Sequence, residues 1–217
     1  MMEVFKKDAD IHTQTAMEIF GVSSSGVTKD MRRDAKTINF GILYGLSSFG
    51  LSSRIGEISR AEAKEFIEKY FKAYPQVESY IEQIKLQVNE EGFVRNELGR
   101  IRKFPEIKSS QWQIRAAAER AAVNFPIQSL AADVIKVAMI NIHKELHPTL
   151  YTLHPDCEML LQVHDELVFE VKEDRVEHWA KKLVPMMEEA IKLSVPVKVE
   201  AKVGDNWGEM EELAKIK

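Results

Sequence analysis

Arg32, Lys36, Phe40 and Tyr44 stand four residues apart in the stretch MRRDAKTINFGILYG (31–45), and on a helix that interval stacks them along one slowly drifting face. Two cations followed by two aromatic rings suit a ligand with a polyphosphate at one end and a flat ring at the other. Guanidinium and ammonium groups bind phosphate, and aromatic faces stack on bases. A nucleoside triphosphate has that shape. The same spacing also serves a surface helix with solvated cations whose Phe40 and Tyr44 belong to the core.

A second group, His164–Asp165–Glu166, separates two apolar, β-prone runs, CEMLLQV and ELVFEV, as at the tip of a hairpin. A carboxylate held at a sheet edge can coordinate Mg²⁺ together with a substrate phosphate. An ordinary polar turn has the same composition. Phosphoryl transfer with two metal ions needs more than one carboxylate, and Glu166 tends to face away from its neighbour if both lie on a strand.

Between these groups lies a basic segment: Arg95, Arg100, Arg102, Lys103, Lys108, Arg115 and Arg120 stand against Glu97, Glu106 and Glu119. With Trp112 nearby, such an arm can follow a nucleic-acid backbone through counterion release and stacking, or remain a solvated charged segment. Arg120, Asn124 and Gln128 follow at intervals of four, placing hydrogen-bonding groups along one helix side around Pro126, or near backbone groups that the proline leaves unpaired. His12 lies early in another helix, where a phosphate is welcome and where a solvent-facing histidine is equally at home.

The elements that must position these groups are legible as capping and periodicity signals. A helix is expected over 8–20, stopped before Gly21, followed by the loop VSSSGVT; Asp30 can cap the helix carrying the stripe, whose Ala35, Ile38 and Ile42 are free to pack. The glycines and serines of 45–53 break the pattern. Ser59 and Glu62 form a capping box, Pro75 opens a helix that Gly92 stops, and FVRNELGRIRKFPEI reads as a short hairpin or extended arm. Helices are expected over 110–125 and 130–146, interrupted at Pro126. After the loops at Pro148 and Pro155 come the hairpin, a helix over 174–193 and a last strand, VPVKVEAKV.

The 217 residues, 45% of them apolar, can bury a sizeable core as one large or two small domains. A net charge of -4 does not advertise nucleic-acid binding, but local clustering of cations outweighs it. Cys157 is the single cysteine, which excludes intrachain disulfides and fits a reducing cytoplasm. No apolar run approaches about 20 residues and no signal peptide precedes the first charges. A soluble, cytoplasmic protein without membrane contact is expected. Its start at Met1–Met2 reads like a beginning in mid-structure.

Taken together, these segments resemble the C-terminal part of the polymerase domain of family A DNA polymerases, the bacterial DNA polymerase I type. RRDAKTINFGILYG is similar to motif B on the fingers helix and LLQVHDELVFEV to motif C in the palm. DIHTQTA, GRIRKFPEI, AAERAAVNFPIQ and VPVKVEAKVGDNW follow in the family's order. The resemblance implies an α+β protein: a mainly helical fingers subdomain (1–127), then part of an antiparallel palm sheet with helices (128–217). It implies that His12, Arg32, Lys36, Phe40 and Tyr44 bind the incoming dNTP, and that Lys36 protonates the leaving pyrophosphate. Gly45, Arg100, Arg120, Asn124, Gln128 and His164 would contact the DNA primer-template. Asp165 would be a metal ligand for one of two Mg²⁺ ions, with Asp165, Lys36 and His164 forming the catalytic group.

The family's motif A, with its second metal-binding aspartate, precedes the position of Met1, as do the thumb and any exonuclease domain. Ser129–Leu130 stand where the family usually has Gly-Thr. Template-directed DNA synthesis is therefore expected only together with an upstream polymerase polypeptide carrying motif A. The alternatives are a catalytically inactive DNA- or nucleotide-binding remnant and a fragment of a single-subunit RNA polymerase.

Overall fold

The computed structural model describes residues 1–56, 58–147 and 156–213, which form two compact units, Met1–Ser129 and Leu130–Lys217. A short α1 (Met2–Lys6) precedes α2 (Ile11–Phe20). The Asp10 carboxylate accepts from the backbone N–H groups of His12 and Thr13, so α2 begins at Ile11 rather than at residue 8. Gly21, at φ 68°, ends it.

The stripe lies on α3 (Lys29–Leu43), which packs on α2. Its cap is the Thr28 side chain, not Asp30. Asp30 instead occupies the first turn, where a carboxylate suits the positive end of the helix, and pairs with Arg33 at 2.7 Å. The serine-rich stretch is also more ordered than expected: Ser47 caps α4 (Ser48–Ile55), and the Ser52 and Ser53 hydroxyls donate to the Phe49 carbonyl. Buried Leu51 supplies the packing that weak helix formers lack.

The capping box at Ser59 and Glu62 opens α5 (Arg60–Ala73), and α6 (Pro75–Glu91) runs from Pro75 to its stop at Gly92, both as expected. Ile19, Ile38, Ile42, Leu51, Tyr70 and Ile81 meet in the core that these helices share. The basic arm is a true antiparallel hairpin, β1 (Phe93–Arg95) against β2 (Ile101–Lys103). Val94 drops from it into a second cluster with Val88, Phe104, Ile107 and Ala122.

Pro126 does not interrupt the next helix. α7 (Trp112–Leu146) is continuous through it. Proline deprives the Ala122 carbonyl of its helical donor, but Ala122 and Val123 are buried, and the Tyr80 hydroxyl donates to the Val123 carbonyl at 2.8 Å. Packing thus carries the helix across the break. By length and average composition α7 is apolar enough to cross a bilayer, but Asn124, Gln128, Asp133 and Lys136 interrupt the stretch, so it holds no apolar run of the length a span needs.

In the second unit, β3 (Cys157–Val163) pairs antiparallel with β4 (Glu166–Val171), with a register shift between Met159 and Leu161. Cys157 shares a core with Ile142, Leu146, Trp179 and Leu183, the last two from α8 (Val176–Glu188). The helix expected over 174–193 is shorter. It ends where the Glu188 carboxylate turns to accept the Val199 N–H at 3.1 Å. The last strand is also shorter than its β-prone sequence implies: only β5 (Lys202–Val203) pairs, with β6 (Glu211–Glu212). A strand needs a ladder, and among the described residues none runs beside 195–200. The loops at Pro148 and Pro155 lie outside the described residues. The class is α+β, as expected.

Candidate nucleotide and nucleic-acid interface

The α3 stripe faces outward. Arg32 and Lys36 are exposed, Phe40 and Tyr44 are 49% and 47% exposed, and the opposite face buries Ala35, Ile38, Asn39 and Ile42. Of the two uses open to this spacing, core packing of both rings is ruled out. Two large rings on one helix face, left half in water beside two cations, have the chemistry to stack on a base and to pair with phosphate.

His12 joins this surface from α2. Its ring centroid is 5.8 Å from that of Phe40, and its Nδ1 is 3.0 Å from the Asn39 amide nitrogen. Burial lowers its pKa, the Asp10 carboxylate opposes that shift, and the charges of Arg32 and Lys36 reinforce it, so the site favours the neutral ring. Lys36 has no hydrogen-bond or ion-pair partner among the described residues.

Arg32, by contrast, is gripped at two points by Asp10: Nε to Oδ2 at 2.6 Å and Nη2 to Oδ1 at 3.3 Å. Burial alone would raise the Asp10 pKa. The Arg32 guanidinium, the Thr13 hydroxyl and the backbone N–H groups of His12 and Thr13 instead hold it well below the usual carboxylate range. Asp10 was missed as a site residue. Its position before a helix signals a cap, but nothing local signals a partner in another helix.

The end of the stripe meets α7 within the first unit. Gly45 has φ 69°, and a Cβ there would lie 2.5 Å from Arg120 Cγ, so the left-handed turn and the close approach both require glycine. The Tyr44 hydroxyl accepts from Gln128 Nε2 at 2.9 Å. Arg120, Asn124 and Gln128 share one face of the continuous α7, and two of the three touch the stripe's end. Arg100 sits apart in the β1–β2 turn, its N–H donating to Asn96 Oδ1 at 2.9 Å. Asn96 in turn donates to Ser129 Oγ at 3.0 Å, so buried Ser129 ties the basic hairpin to α7.

His164 and Asp165 form the two-residue β3–β4 loop, with His164 at φ 53° and both side chains exposed. An exposed aspartate at a sheet edge offers the hard oxygen donors that Mg²⁺ prefers. No group of three or more potential ligands forms among the described residues. The donor set at this turn is too small for a two-ion site.

Comparison with known proteins places the chain in a family. The family model for DNA polymerase family A matches residues 1–209. The chain is 46% identical over 209 residues to DNA polymerase I of Pseudomonas aeruginosa, covering 96% of this chain and 22% of that protein. It is 45% identical over 207 residues to DNA polymerase I of Bacillus caldotenax, covering 95% and 23%. Among solved structures, the POL domain of Pol1 from M. smegmatis, in complex with DNA primer-template and dNTP, superposes with a TM-score of 0.83 at 40% identity, over 91% of this chain and 34% of that one. The chain therefore spans less than a quarter of the curated relatives it matches. On the match across nearly all of its length, this chain belongs to DNA polymerase family A.

Proposed function

We propose that this chain supplies the dNTP-binding and part of the primer-template-binding surface of a template-directed DNA polymerase, with 1–127 as fingers and 128–217 as part of the palm. The observation that carries this reading is the outward α3 stripe, two cations and two half-exposed rings with His12 beside Phe40. Arg32, Lys36 and His12 bind the triphosphate, Phe40 packs against sugar and base, and Tyr44 with Gly45 borders the templating base. Arg100, Arg120, Asn124 and Gln128 contact the primer-template.

In the reaction, the primer 3'-hydroxyl attacks the α-phosphate and pyrophosphate leaves. Lys36, an exposed cation with no ion-pair partner among the described residues, donates a proton to the leaving oxygen. His164 lies near the primer terminus. Mg²⁺ would bind Asp165 together with carboxylates contributed by polymerase sequence upstream, in the same or a separate polypeptide. Without that sequence the 217 residues bind substrate and do not extend a primer.

Two measurements test this. The chain is titrated with dNTP and with rNTP, in the wild type and in Lys36→Ala. It is then mixed with an upstream polymerase fragment carrying motif A and thumb and assayed for primer extension. Lys36-dependent dNTP binding and extension only in the mixture are expected. Binding without extension in any mixture indicates an inactive remnant, preferential rNTP incorporation indicates an RNA polymerase, and no nucleotide or primer-template binding rejects the reading.

A further inference from the structure

Asn39 is the polar member of the buried face of α3, 7% exposed among Ala35, Ile38 and Ile42. A buried amide is destabilising unless its groups are paired, and both ends of this one are. Its Nδ2 lies 3.0 Å from His12 Nδ1, and its Oδ1 accepts from the Thr15 hydroxyl at 3.1 Å. Thr15 is fully buried, and its Oγ lies 3.3 Å from the hydroxyl of Tyr74, the residue between α5 and α6. The chain Tyr74–Thr15–Asn39–His12 therefore runs from the core to the edge of the nucleotide surface.

The order of atoms in this chain has a chemical consequence. With Oδ1 turned to the Thr15 hydroxyl, the amide presents N–H to His12 Nδ1, which must then offer a lone pair. A neutral ring with a lone pair at Nδ1 carries its proton at Nε2, the nitrogen not engaged by Asn39. Were the amide reversed, Nδ1 would hold the proton and Nε2 would present a lone pair, which repels a phosphate oxygen.

We propose that Asn39, backed by Thr15 and Tyr74, is a positioning residue that fixes His12 as its Nε2–H tautomer and so presents a hydrogen-bond donor to the triphosphate. The inference rests on the assignment of His12 to phosphate binding above. It gives Asn39 a role through His12, without contact to the nucleotide.

The test combines a tautomer measurement with phosphate binding. The chain is labelled with ¹⁵N-histidine, and long-range ¹H–¹⁵N correlation spectra are recorded at about pH 8, where an unperturbed imidazole is neutral. His12 is assigned by its loss in His12→Gln. Binding of inorganic tripolyphosphate, which lacks sugar and base, is measured by calorimetry.

A pyrrole-like Nε2 and a pyridine-like Nδ1 are expected in the wild type. Asn39→Leu, close to asparagine in size, should give a mixture of tautomers and weaken tripolyphosphate binding roughly tenfold, the effect of one hydrogen bond to a charged group. Asn39→Asp, which can only accept when ionised, should move the proton to Nδ1. An Nδ1–H ring in the wild type, or an Asn39→Leu chain with the wild-type tautomer and affinity, overturns the inference. If the wild type shows the Nε2–H ring, loses it in Asn39→Leu and yet binds no tripolyphosphate, the hold of Asn39 on the tautomer stands and the nucleotide reading fails.

Discussion

Replacing Gly45 tests the junction between the stripe and α7. Alanine at φ 69° pays the left-handed penalty of an L-residue, roughly 1–2 kcal/mol. Its Cβ would sit 2.5 Å from Arg120 Cγ and 2.9 Å from Cδ, too close for either atom to stay. These are stem atoms rather than the flexible tip, so the arginine must leave its rotamer, adding roughly 0.5–1.5 kcal/mol. A total near 2.5 kcal/mol lowers the melting temperature of a chain of this size by about 5–10 °C.

Two companions separate the contributions. Gly45→Asn tolerates the left-handed backbone better but keeps the clash. Gly45→Ala with Arg120→Ala keeps the backbone strain and removes the clash. Thermal unfolding followed by circular dichroism should show the double variant more stable than the sum of the single changes predicts, by about 0.5–1.5 kcal/mol. Strict additivity would refute the close-approach argument, and an unchanged melting temperature in Gly45→Ala would refute the strain argument as well.

The remaining expectations concern the elements that hold the surface. Ser59→Ala removes the hydroxyl that accepts the Glu62 N–H and should lower stability by about 1 kcal/mol, read as a urea midpoint shift. Tyr80→Phe deletes the hydrogen bond to the Val123 carbonyl beside Pro126 and should lower stability by about 0.5–1.5 kcal/mol. In the wild type, burial pushes the Tyr80 hydroxyl up to about 12, so absorbance titration should lose one high-pH tyrosine ionisation in Tyr80→Phe. Asp10, with a folded-state pKa held below its unfolded value, contributes stability that is fully present above about pH 4 and lost as pH falls through the folded value. The urea-midpoint gap between wild type and Asp10→Asn should therefore narrow on acidification, and a gap independent of pH contradicts the assignment.

Features set by neighbours along the chain were legible beforehand. The Ser59–Glu62 box, the Pro75 start, the Gly92 stop and the turn at His164–Asp165 each depend on a few adjacent residues, and each is found where it was expected. Features set by partners elsewhere were not. Pro126 looks like a helix break until the packing of Ala122 and Val123 and the Tyr80 hydrogen bond are known. The run 195–200 looks like a strand until it is found without a ladder among the described residues. Ser129, a departure from the family pattern, acquires a partner through Asn96 in a hairpin thirty-three residues away.

The candidate site divides along the same line. Periodicity alone placed Arg32, Lys36, Phe40 and Tyr44 on one face, because that depends only on helix pitch, and the motifs together were enough to identify the family. Whether that face looked outward, what held Arg32, and which atoms surrounded His12 depended on how α2, α3 and the start of α6 pack. Helix geometry is local and can be read from spacing. Burial, hydrogen-bond direction and the placement of a proton arise only when distant segments are brought into contact, and so only the tertiary structure decided them.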